Sequence, residues 1–171
     1  MSNEQKKVVA GVIAAVVFSL AFFEMVLKFT NVGPTPSGGI DVSTRLEYAL
    51  KCEVFAAICL LAGVGKVGNR RFFTPEAISG DPAPSVEIDR RYVQNTTEQL
   101  LLALIAHLAL VLIVPADSTR VVAILVMLFM IGRATFWIGY HISGPARAFG
   151  FATTFYPTIA AYVYVLSQIL R

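Results

Sequence analysis

Five runs of about 20 predominantly apolar residues, separated by short polar or Gly/Pro-bearing segments, leave this chain few ways to fold. Water is absent from a bilayer core, so each run must satisfy its own backbone N–H and C=O groups, and it does so as a helix. A soluble domain that is 56% hydrophobic and 15% charged over 171 residues would expose much of its apolar surface to water. A mean hydropathy of +0.68 makes lipid the natural solvent instead. The sequence therefore reads as an all-α, multi-pass membrane protein with almost nothing left over for a soluble domain.

The expected spans are residues 8–27, 46–67, 91–114, 121–141 and 148–170. The first run follows a polar, basic N-terminus and is too long for the apolar region of a signal peptide, which predicts a retained anchor. Glu24 and Lys28 at its end form an i, i+4 pair. Residues 31–43, rich in Gly, Pro and Ser, read as a loop. So does 68–90, where Asp81-Pro82-Ala83-Pro84 breaks a helix twice. The third span stops at Pro115 and must form a hairpin with the fourth; Ser143-Gly144-Pro145 makes the next turn, and Pro157 predicts a bend in the last helix. The organisation expected is an N-terminal transmembrane helix and loop over 1–45, followed by a four-helix transmembrane domain over 46–171.

Positive charge orients the chain. With a cytosolic N-terminus, Lys6, Lys7, Lys66, Arg70, Arg71, Arg90, Arg91 and Arg147 fall inside, against Lys28, Arg45, Arg120 and Arg171 outside, and the C-terminus is non-cytosolic. The net charge of +3 is thus a matter of distribution and gives no sign of nucleic-acid binding. Cys52 and Cys59 stand seven apart on one expected helix, about 10 Å along its axis, and cannot bridge each other.

Polar side chains inside membrane helices are costly unless paired, so each is a candidate site. Arg91, Asn95 and Glu98 share one face of the third span; Arg133, Trp137 and Tyr140 repeat that spacing on the fourth, with Phe136 alongside. Both groups lie at similar depth near the cytosolic side, and Glu98 with Arg133 is the expected buried ion pair. Arg91, Asn95, Tyr140 and Arg147 then face a ligand, whose several negative charges would balance the cations.

At these positions the chain resembles the membrane-associated proteins in eicosanoid and glutathione metabolism, the MAPEG family. Arg91 followed by Asn95-Thr96-Thr97-Glu98 is similar to the family's Arg and Asn-x-x-Glu, and Gly132-Arg133 through Gly139-Tyr140, followed by Arg147, is similar to its second signature. The resemblance implies a homotrimer of four-helix subunits, here with one extra N-terminal transmembrane helix, binding glutathione between subunits in the cytosolic half of the membrane. Arg91, Asn95 and Glu98 would hold the tripeptide together with Arg133, Tyr140 would support it, and Arg147 would be the catalytic residue that favours its thiolate. An endomembrane such as the endoplasmic reticulum is the implied location in a eukaryote.

The chain departs from the family pattern at several points. Gln94 stands where several members have a second basic residue, and Phe136 where Tyr or His is common. Ala148 and Phe151 replace the Ser and Tyr of the prostaglandin-forming branch, which argues against that isomerisation. The extra helix resembles the five-helix, mattrin-like branch. Two functions follow: a glutathione transferase or peroxidase acting on a lipophilic small-molecule electrophile from the bilayer, or a non-catalytic protein of the same fold in trafficking or lipid binding.

The remaining polar residues have plainer readings. His107 projects roughly opposite Glu98 and reads as a hydrogen-bonder between helices. Tyr156, Tyr162 and Tyr164 read as packing or interface aromatics. No His/Cys/carboxylate cluster points to a metal, and polar residues confined to one leaflet do not line a channel. Lys66, Arg70 and Arg71 follow the second span without indicating which of them joins the site. Asn95-Thr96-Thr97 is also a glycosylation acceptor triplet, unusable on the cytosolic side. Expression in glycosylating cells should give a product whose gel mobility is unchanged by glycosidase; a shift lost in Asn95→Gln would reverse the orientation.

Overall fold

The computed structural model describes residues 1–29, 41–79 and 84–171. Along the chain come α1 (Asn3–Phe29), α2 (Val42–Phe72), the short α3 (Pro75–Ser79), α4 (Pro84–Ile113), a 3-10 turn (Ala116–Ser118), α5 (Val121–Ile142) and α6 (Arg147–Ile169). The five long helices are each long and apolar enough to cross a membrane, and the described residues form no strand. The protein is an all-α, multi-pass membrane protein, as its hydropathy requires. Most of the expected loop at 31–43, and Asp81 to Ala83 of the second, lie outside the described residues.

Two boundaries differ from the sequence reading. The segment 68–90 is not a loop throughout: α2 continues to Phe72, and α4 starts at Pro84, well before residue 91. Proline is tolerated in the first turn of a helix, where its missing N–H has no intrahelical partner to lose. Val86, Asp89 and Tyr92 are buried against the bundle, so packing carries the helix through a stretch that looks polar. At the other end of α2, Asp41 caps the helix. Hydrogen bonds from Ser43 Oγ (2.6 Å) and the Val42 N–H (2.8 Å) hold its carboxyl below the usual carboxylate range.

Helices α2 and α4 run antiparallel and are tied at four levels. Arg45 donates to the Val114 carbonyl, Glu53 pairs with His107 at 2.5 Å, the Tyr92 hydroxyl donates to the Cys59 carbonyl at 3.2 Å, and Arg70 meets Asp89 at 2.8 Å. Between the ties Ala49, Ala56 and Ala103 are fully buried, which lets the backbones come close. Cys52 and Cys59 are both free.

Helix α5 is the most buried span and packs tightly against α6. A Cβ on Gly150 would stand 2.1 Å from the Phe136 backbone nitrogen, so only glycine permits this approach. The extra helix, α1, is the least buried span. It leans on α6, where Gly11 meets Ala148 and the Phe18 and Phe149 rings lie 5.7 Å apart.

His107, expected to bond between helices, does so with Glu53, and both are almost wholly out of solvent. Glu53→Leu or His107→Leu alone strands a buried polar partner and should cost about 1–3 kcal/mol. The double replacement should cost less than the sum of the two, as read by thermal unfolding in detergent.

Candidate functional site

The centre of the site is Arg133, fully buried although charged. Its guanidinium donates to Asn95 Oδ1 at 2.7 Å, Thr154 Oγ1 at 2.5 Å and the Gly150 carbonyl at 3.4 Å, and it packs against the rings of Phe136 (4.6 Å) and Phe129 (5.8 Å). Three helices therefore meet on one cation, whose Nε is left without a hydrogen-bond partner among the described residues. The expected Glu98–Arg133 ion pair is not formed: Glu98 is exposed on α4 and accepts from Gln94 at 3.3 Å. The reason is angular. Asn95 turns toward α5 while Glu98, three residues on, turns outward, and Arg133 finds neutral acceptors closer at hand.

Asn95 spends its carbonyl oxygen on Arg133 and is one of the residues lining a cavity of about 490 Å³. Tyr140 and Arg147 line the same cavity, together with Phe136, Phe151 and Phe155. Arg147 opens α6 immediately after the turn, and its guanidinium sits 4.6 Å above the Tyr140 ring. Such a contact holds the cation in place without neutralising it, which leaves its charge available to an anion. Three of the expected site residues are thus brought together around one space.

Arg91 faces a second cavity, of about 440 Å³, that it shares with Arg71, Arg90 and Gln94. It is exposed and paired with Glu87 at 2.8 Å. Of the three basic residues that follow the second span, Arg71 joins this cavity, whereas Arg70 is bonded to Asp89. Arg91, Asn95 and Glu98 therefore do not act on one face: the first borders one cavity, the second another, and the third points outward.

Asp89, placed in a loop by the sequence reading, is fully buried. It accepts from the Trp137 indole at 3.0 Å and forms an ion pair with Arg70 at 2.8 Å, with His141 at 3.9 Å. Trp137 in turn stacks on Tyr92 at 4.4 Å. This cluster locks together the ends of α2, α4 and α5, of which α4 borders both cavities, α2 the Arg91 cavity and α5 the Arg147 cavity. Its signal in the sequence was the spacing of Asp89 with Tyr92, Thr96 and Gln99, all buried on one stripe of α4. Among the described residues no group of three His, Cys, Asp or Glu could hold a metal.

A model of the MAPEG family matches residues 48–167. The chain belongs to the MAPEG family. Two curated relatives are both described as Transmembrane protein 79. The mouse (Mus musculus) protein is 29% identical over 96% of this chain, and the bovine (Bos taurus) protein is 30% identical over 70% of it. The matched regions are 42% and 30% of those proteins, so the chain spans less than half the length of the curated relatives it matches. No solved structure is a significant match. The family match begins after α1, which stands apart from the MAPEG helices α2, α4, α5 and α6.

The hydrogen bonds around Arg133 carry charge, so losing one should cost about 1.5–3 kcal/mol. Asn95→Ala and Thr154→Val should destabilise the purified protein by that amount in detergent unfolding. Glu98→Gln should stay within about 0.5 kcal/mol of the parent, as expected of an exposed position outside the network.

Proposed function

We propose that this MAPEG protein binds glutathione and uses Arg147 to favour the thiolate in transfer to, or reduction of, a lipophilic electrophile. The observation that carries the reading is the cavity that Asn95, Tyr140 and Arg147 line together, where a positioned cation stands beside aromatic rings. A guanidinium keeps its proton at any physiological pH, so a thiol next to it ionises more readily and becomes the better nucleophile.

The second cationic cavity supports a homotrimer. Arg71, Arg90 and Arg91 border a space of their own, and one glutathione could reach both sets if a cyclic assembly set one copy's cavity against its neighbour's. Gln94 and Glu98 are exposed within a membrane span, a costly arrangement that a neighbouring subunit would relieve. The positive charges favour a cytosolic N-terminus and put both cavities on the cytosolic side.

A second reading, a non-catalytic member acting in trafficking or lipid binding, is favoured by one observation. Phe136, where the family often has Tyr or His, is buried against Arg133 and offers the cavity no polar group.

Calorimetry on the full chain in detergent separates the two. Binding at millimolar glutathione, an ultraviolet thiolate band on titration, and loss of that band in Arg147→Ala with much of the binding retained are the results expected of the enzyme. Arg91→Ala should weaken binding by about 1.5–3 kcal/mol. No heat at millimolar glutathione would leave the non-catalytic reading. Native mass spectrometry should give trimers.

A further inference from the structure

Of the ties between α2 and α4, Glu53–His107 alone is built from a carboxyl and an imidazole; the others rest on a guanidinium or on a backbone carbonyl. A guanidinium keeps its proton at any physiological pH, and a carbonyl has none to lose. An imidazole is the group whose charge changes most readily in that range. The pair is sealed. Ala49 and Ala56, about one turn to either side of Glu53, and Ala103 and Val111, about one turn to either side of His107, are fully buried in one apolar cluster with Val122, Val126 and Phe129 of α5. Glu53 Oε1 meets His107 Nδ1 at 2.5 Å, while Oε2 is buried with no hydrogen-bond partner among the described residues. No other titratable residue lies on α4 between Gln99 and Ile113 or on α5 between Val121 and Gly132. On α2 the neighbours are Tyr48, Cys52 and the exposed Glu47 and Lys51, which pair with each other. Helix α6 brings Tyr162, whose hydroxyl donates to the Leu102 carbonyl at 3.0 Å.

We propose that Glu53 and His107 form a proton-binding switch: they share one proton while α2 and α4 are closed, and a second proton, bound on acidification, parts the seam at their level. With one proton the pair is neutral overall, whichever atom carries it, and an apolar enclosure tolerates neutrality. A second proton, taken up at Glu53, makes the pair a cation and removes the carboxylate that faced the imidazole. Water must enter to hydrate that cation, so the second proton binds more tightly to an open seam than to a closed one. By linkage, the closed seam is most stable near neutral pH and loses stability as pH falls.

Opening is confined to one end of the seam. Toward the far end Tyr92 holds the Cys59 carbonyl and Arg70 holds Asp89, and neither tie uses the shared proton. Toward the near end, Glu53 stands about 16 Å along the axis from Val42, where α2 starts, and helical side chains lean toward that start. Arg45 marks this end, and its Nε is buried with no hydrogen-bond partner among the described residues. The proton therefore enters from the Arg45 end, the non-cytosolic one in the orientation that the positive charges favour. The inference does not rest on the glutathione reading, since the switch is measured with no ligand present.

Two native thiols report on the seam. Cys52 directly precedes Glu53, Cys59 lies at the Tyr92 tie, and both are free and partly buried against the same apolar cluster. The purified full chain in detergent is treated with dithiodipyridine, a small thiol reagent that also reacts in acid, at about pH 7 and about pH 5. Mass spectrometry follows labelling at each cysteine, and the ratio of the two cancels the reagent's own pH dependence. Labelling of Cys52 relative to Cys59 should rise about tenfold at the lower pH, as expected when the second proton favours the open seam by about one pH unit. Infrared difference spectra over the same interval should gain the carbonyl band of a buried carboxylic acid. Both changes should vanish in Glu53→Gln, which keeps an oxygen for His107 but has no carboxyl to protonate. Should that variant fail to fold, His107→Gln tests the same point: a carboxyl alone among apolar neighbours keeps its proton, so the band should stand at both pH values and the ratio should not move. In sealed vesicles, acid on the Arg45 side alone should reproduce the rise. An unchanged ratio, equal gains at both cysteines, an infrared change that survives Glu53→Gln, or opening driven by acid on the other side alone would overturn the proposal.

Discussion

The burial of Arg133 is the constraint on which the rest of the bundle depends. A guanidinium cannot shed its proton, so sealing it inside a membrane bundle is unfavourable by several kcal/mol unless acceptors meet it, and here they meet both terminal nitrogens while Nε has no hydrogen-bond partner among the described residues. Asn95 from α4, Thr154 and the Gly150 carbonyl from α6, and the rings of Phe129 and Phe136 on its own helix answer it. Meeting those demands fixes how close α5 and α6 must be, and the missing Cβ of Gly150 makes that distance possible. It also shapes the site, because the Asn95 that Arg133 holds by its oxygen lines the cavity beside Arg147.

A second polar framework joins α2 to α4. Its ties, from Arg45 at one end through Glu53–His107 to Arg70–Asp89 at the other, recur along the whole interface. Apolar packing gives two membrane helices little preference for one register, since lipid tails are as apolar as leucine. Hydrogen bonds at fixed levels supply the preference. The arrangement also explains why α2 and α4 extend beyond the apolar stretches: Arg70 and Asp89 meet only if both helices continue into the polar segment between them.

Placing the chain in the MAPEG family accounts for four of the five spans and for the motif residues around the Arg147 cavity. It leaves α1 unaccounted for. That helix does not enter the core; it leans on α6 and forms a wall of both the Arg147 cavity and an apolar one. Any ligand at Arg147 consequently meets a surface that a four-helix subunit lacks. The properties of this site are therefore those of the family residues together with α1.

Hydropathy and spacing were enough to reveal the number of spans, the helical class, the role of His107 between helices and the similar depth that lets Asn95, Tyr140 and Arg147 border one cavity. Each of these follows from the length of an apolar run or from the 3.6-residue period, and both are written along the chain. The partner of Arg133 was not legible. Glu98 and Asn95 share a helix face within the tolerance of sequence spacing, and a carboxylate is the stronger partner on paper, yet a rotation of α4 by a fraction of a turn gives the position to Asn95. Asp89 was hidden for a related reason: its local sequence is polar and proline-flanked, and only contact with Arg70 and Trp137 from two other helices makes that stretch a buried helix. Local periodicity settles which residues can lie on a face; the rotation and reach of neighbouring helices decide which of them touch.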